Sequence, residues 1–156
     1  MRSTIDSRRQ PRLTTSSVLW PDHCVQNTLG CELIPELDKT RLDMVIEKGQ
    51  DSRVESYSGF GPPFLSPQVA MTGLEETLRK AGIAKVFVVG LAWDYCVKYT
   101  AMDAAKAGFE TFVIEEATKA VNQSEQAAAS LRQEMLDAGV HHICMDSDEL
   151  HVVETR

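Results

Sequence analysis

The apolar residues of this chain fall into short blocks with two different spacings. Lys85-Val-Phe-Val-Val-Gly90 is a β-branched, nearly continuous apolar run, the pattern of a central strand covered on both faces of a parallel sheet. Leu42–Glu47 (LDMVIE), Glu110–Glu115 (ETFVIE) and Val140–Met145 read as further strands. Between them the spacing becomes helical. Leu74 and Leu78 mark the buried face of a helix over Pro67–Ala81, ended by Gly82. Asp94 can cap a helix carrying Val97, Ala101, Ala104 and Ala105, with Gly108 as its stop. Ala128, Leu131, Met135 and Leu136 face inward from a helix over Ser124–Ala138. This β-α-β-α-β rhythm predicts a parallel sheet with right-handed crossovers, and so a three-layer α/β/α fold.

The remaining segments have no such period. Met1–Ser17 is polar and Ser/Thr-rich, and reads as a disordered leader, with residues 18–156 as the folded domain. Its Arg-rich, acid-poor composition is also that of an organellar transit peptide. Val18–Gly30 (VLWPDHCVQNTLG) is an irregular loop interrupted by Pro21. Gln50–Pro67 is a Gly/Pro/Ser-rich loop enclosing Tyr57 and Phe60, of a length often used for function.

At 156 residues the length suits one domain, and no apolar run reaches membrane-spanning length. Nothing therefore points to a membrane partner. The formal charge of −7 argues against nucleic acid. Four arginines and one aspartate give the first 17 residues +3, leaving −10 for the rest. The four cysteines form no CxxC pair, and no secretory apolar core precedes them, so a reducing, cytoplasmic setting is expected.

Candidate chemistry gathers after the Lys85 strand. Cys96 falls in the first turn of the following helix, at the C-terminal end of a strand, where ligands bind in open α/β sheets. Unpaired N–H groups and the helix dipole there favour a thiolate and can hold an oxyanion. The plainer reading of Cys96 is a small buried hydrophobe. Lys48 ends the Leu42 strand at the same sheet edge if the strands are parallel, and its cation would favour a thiolate. In the Val18 loop, His23 is a potential metal ligand and Trp20 a flat wall for an aromatic ring. His141 and His142 alternate across one strand and cannot share a site; with His151 they read as structural.

Three stretches in order, LWPDHCVQNTLG, EKG followed by VESYSGF, and VVGLAWDYCVKYTAMDAAKAGF, resemble the nicotinamidases of the isochorismatase-like cysteine hydrolases. The resemblance runs from Val18 to about Met145. It implies Cys96 as nucleophile, Lys48 as a triad member and His23 as one ligand of a divalent metal, usually zinc. Trp20 and Tyr57 become pocket residues around a pyridine ring. Ala92 and Cys96 would supply the oxyanion N–H groups, with a cis peptide between Leu91 and Ala92. The activity implied is hydrolysis of nicotinamide to nicotinate and ammonia through a cysteine thioester, a step in NAD salvage, in cytoplasm, nucleus or peroxisome.

Two departures accompany the resemblance. Trp93 stands where the family writes Thr. The family's opening Asp-x-Gln-x-Asp-Phe strand and its Asp-x-His pair do not occur before Val18, so a sheet lacking the first two strands is expected, with a weakened metal shell. Unpaired strand edges invite a second chain, which makes a homo-oligomer an expectation. The alternatives are another small-amide cysteine hydrolase, or an inactive fragment serving as a binding or assembly partner.

Overall fold

The computed structural model describes residues 20–63 and 69–151. The leader expected over residues 1–17 lies outside them. The chain divides into two compact units, Met1–Asp43 and Met44–Arg156. The described part of the first holds two single 3-10 turns, Leu29–Cys31 and Lys39–Arg41. The Asp38 carboxylate accepts from the Thr40 N–H at 3.0 Å and caps the second of them.

The second unit carries a three-stranded parallel sheet in the order β1 (Lys85–Leu91), β2 (Glu110–Lys119), β3 (Val140–Ile143). Its helices are α1 (Leu74–Lys80), α2 (Lys98–Lys106), α3 (Glu125–Asp137) and the single turn α4 (Asp148–His151). This is the expected open parallel α/β arrangement.

Register and strand alternation divide the core in two. Val88, Val113 and Val140 point to one face, where they meet Ala101, Val97, Leu131 and Met135. On the same side Val86 packs with Leu74, Leu78, Ala104 and Phe109, which brings α1 against the sheet. Phe112, Ile114 and Ile143 point the other way with Phe87, and Leu150 of α4 covers them. The rings of Phe87 and Phe112, opposite each other in register, stack at 5.0 Å.

Several boundaries differ from expectation, each for a local reason. Leu42–Glu47 is not a strand: none of the described strands pairs with it, and Met44 and Val45 are more than half exposed. A β pattern without a neighbour to complete its hydrogen bonds has nothing to hold it flat. The first helix starts at Leu74 because Gly73 takes a left-handed φ of 78°, which a right-handed helix cannot contain; Pro67 lies outside the described residues. Strand β1 is an edge rather than a central strand among the described residues, with Val89 50% and Leu91 73% exposed. Helix α3 begins as its cap foretells, with Ser124 Oγ accepting from the Ala127 N–H at 3.3 Å. Leu136, expected inside, is exposed, because one residue beyond Met135 turns it about 100° away from the sheet.

Candidate active site

Strand β1 ends at Leu91, and the Leu91–Ala92 peptide is cis. Ala92 is still extended (φ −97°, ψ 145°), and the chain then winds into a wide π-turn over Trp93–Val97 before tightening into α2. The Ala92 carbonyl accepts from the Tyr95 N–H at 3.0 Å and from the Val97 N–H at 3.1 Å. Both bonds pass over the Cys96 N–H lying between them in sequence. Cys96 is a free, half-buried thiol in this turn, at the C-terminal end of a parallel strand.

Asp94 does not cap the helix as the sequence suggested. Ala92 holds the cap position, and the Asp94 carboxylate turns to the start of the next crossover, just after β2. There it accepts from the Val121 N–H and the Asn122 N–H, each at 2.9 Å. Two amides on one ionised carboxylate are charge-assisted bonds, stronger than neutral ones. They tie the segment after β2 to the turn that bears Cys96.

Trp93 goes the opposite way. Its side chain is 8% exposed and belongs to the main core. The Arg132 guanidinium lies 5.1 Å from its ring centroid, and the His142 ring meets it edge-on at 5.9 Å. Arg132 is itself held by Glu115 through two bonds of 2.7 Å. Burial lowers the His142 pKa, against the opposing pull of the Glu115 carboxylate. Its 3.3 Å approach to Glu115 is therefore a neutral contact near pH 7 rather than an ion pair. The sequence did carry a signal for this role: Trp93, Val97 and Ala101 recur every four residues, and all three are buried.

Lys48 and Tyr57 reach the turn through a relay. The Lys48 Nζ donates to the Ser56 carbonyl at 3.1 Å, and the next residue, Tyr57, packs its ring on Tyr95 and Tyr99 at 5.3 and 5.6 Å. Tyr95 directly precedes Cys96. Further along the loop the Gly59 N–H donates to Thr100 Oγ1 at 2.8 Å, fastening it to α2. Lys48, Ser56, Met71 and Thr72 line a cavity of about 650 Å³ whose wall does not include Cys96. Asp51 also lines it, its carboxyl held down to about 2 by the Arg53 guanidinium. The Tyr57–Tyr95 contact connects the segments of Lys48 and Cys96.

In the first unit, Trp20 and His23 meet edge to face at 6.5 Å, and His23 Nδ1 bonds the Pro21 carbonyl at 2.7 Å. An Nδ1–H donating to a carbonyl leaves Nε2 with its lone pair, the form in which a histidine binds metal. Yet among the described residues no three His, Cys, Asp or Glu side chains come together as a metal site. A catalytic zinc takes three protein ligands, so the described residues do not make up its shell.

Comparison with known proteins agrees with this architecture. The Isochorismatase domain model matches residues 4–146. The nicotinamidase of Acinetobacter baylyi is 42% identical over 126 residues, which is 81% of this chain and 57% of the relative. PnC1 from L. infantum, solved in complex with nicotinate, superposes with a TM-score of 0.73 at 39% identity, over 81% of this chain and 61% of that one. The pyrazinamidase of Pyrococcus horikoshii, solved in complex with zinc, gives 0.65 at 33% identity, over 81% and 64%. An open parallel sheet with a cysteine on the strand–turn–helix at its edge, together with these superpositions, places the chain among the open-sheet α/β folds. Within that class the chain belongs to the isochorismatase-like family. It spans a little over half the length of curated relatives it matches.

Proposed function

We propose that the chain is a nicotinamidase-like amidohydrolase, converting nicotinamide and water to nicotinate and ammonia. The observation that carries this reading is the turn itself. A half-buried free cysteine lies in the wide Trp93–Val97 turn that follows a parallel strand, at the sheet edge where ligands bind in open α/β folds. The names of the related proteins supply the substrate class.

In this reading the Cys96 thiolate attacks the carboxamide carbon, and the N–H groups of Ala92 and Cys96 receive the oxyanion. The C–N bond breaks as the amine takes up a proton and leaves as ammonia, giving a thioester. Water then adds to the thioester carbon, the C–S bond breaks, and nicotinate departs with the thiol restored. Trp20 and Tyr57 are assigned to the aromatic pocket. Lys48 is assigned the cationic role, with its segment held against the turn by Tyr57. His23 is the ligand this chain would offer to a divalent metal.

The test is ammonia release from nicotinamide by the purified chain beside Cys96→Ala. Release by the parent and none by the variant is expected. Equal rates from two folded proteins would sink the assignment.

A further inference from the structure

The two residues before Tyr95-Cys96 send their side chains in opposite directions, and each is held by groups outside the turn. Asp94 reaches two backbone amides beyond β2, at 2.9 Å each. Trp93 enters the core between α3 and β3, under Arg132 at 5.1 Å and beside His142 at 5.9 Å. Its neighbours there, Val88, Leu131, Met135 and Val140, come from β1, α3 and β3. Arg132 cannot swing away freely, because both of its bonded nitrogens are taken by Glu115 of β2 at 2.7 Å. The large ring is therefore fixed from three elements at once, and it sits three residues ahead of the thiol.

A π-turn holds one residue more than an α-turn, and single π-turns are frequent at functional sites. Here the wide turn decides where the Cys96 N–H and Sγ point. We propose that Trp93 is a positioning residue for Cys96. Its ring, clamped between Arg132 and His142, holds the Trp93–Val97 turn in the wide form that presents the thiol and its N–H to a substrate carbonyl. The inference rests on Cys96 being the nucleophile. It extends that reading to a residue that touches no substrate, and to the Glu115–Arg132 pair behind it.

Thiol alkylation tests this without requiring turnover. The full chain is treated with iodoacetamide from pH 5 to 10, and modification at Cys96 is followed by peptide mass spectrometry. The exposed Cys144 serves as an internal reference. In the parent protein Cys96 should react faster than Cys144 at pH 7. Trp93→Ala should cut the Cys96 rate about tenfold relative to Cys144 in the same sample, the change a displaced thiol produces. Trp93→Phe, which keeps a flat ring in the core, should stay within about twofold of the parent. Arg132→Met removes the stacked guanidinium and should fall between the two.

A simple packing role would lower thermal stability in all three variants while leaving the Cys96 alkylation rate, measured well below the unfolding transition, where it was. That outcome in Trp93→Ala and Arg132→Met overturns the inference alone. Should Trp93→Ala fail to fold, Arg132→Met and Trp93→Phe decide the matter by the same readout. If Cys96 in the parent reacts no faster than Cys144, the nucleophile assignment itself falls, and the inference with it.

Discussion

The rings of Tyr57 and Tyr95 meet with centroids 5.3 Å apart and planes inclined at 55°. One belongs to the Gly/Pro-rich loop that Lys48 grips, the other to the turn that presents Cys96. Aromatic pairs of this geometry contribute about 0.5–1.5 kcal/mol beyond simple burial. On the proposed nicotinamide hydrolysis, Tyr57→Ala should therefore raise KM by roughly two- to tenfold, while Tyr57→Phe should remain close to the parent. Steady-state kinetics on the two variants checks this.

Asp94 should matter to stability as well as to reactivity. Asp94→Ala frees the Val121 and Asn122 amides, which lie near enough to solvent to be rehydrated. A loss of about 1–2 kcal/mol is expected, at the low end for charge-assisted bonds. Urea unfolding monitored by circular dichroism measures it. Asp94→Asn should lose nearly as much, since an amide NH₂ would then face one of the two backbone donors.

The cluster beneath the turn predicts how stability responds to acid. Burial depresses the His142 pKa in the folded protein, so the unfolded chain binds its proton first. The contribution of neutral His142 is complete above the ordinary histidine range, near pH 6.5, and declines as the pH falls below it. Glu115 acts in the same direction at lower pH. Arg132 holds its carboxyl below the usual range, and that stabilisation disappears as the pH falls through the folded value. Thermal midpoints measured from pH 8 to 4 should fall in two stages. His142→Gln should remove the upper stage and leave the lower.

The free edge of β1 predicts association. Val89 and Leu91 are exposed beside a row of backbone groups that no described strand pairs. Edges of this kind recruit other chains unless charge prevents it. Sedimentation velocity at rising concentration should show self-association of the parent, reduced by Val89→Lys.

Legibility in the sequence followed how local the cause was. Strand β1 and helix α3 stood out because their burial pattern and the Ser124 cap lie within the segment itself. The Cys96 turn was legible as a strand–turn–helix, and the resemblance named its cis peptide. What hid from view depended on partners far along the chain. Asp94 reads as a cap until residues 121 and 122 are known to lie across from it. Trp93 reads as an odd residue in a motif until Arg132 and His142 close on it. Leu42–Glu47 fails in the opposite sense, having a strand's pattern but no strand beside it among the described residues.

The register between β1 and β2 sets a final constraint. Val88 faces Val113, but two residues later Gly90 faces Thr118, so β2 spends five residues where β1 spends two. That slack holds Glu115, and it also meters how far the chain has travelled when it reaches Val121 and Asn122. The interval works as a phase adjuster between two halves of the molecule. Removing one residue from it would shift the Thr118 and Lys119 pairing with β1 and carry the wrong amides past Asp94, so a single deletion far from the thiol in sequence would be felt at the thiol.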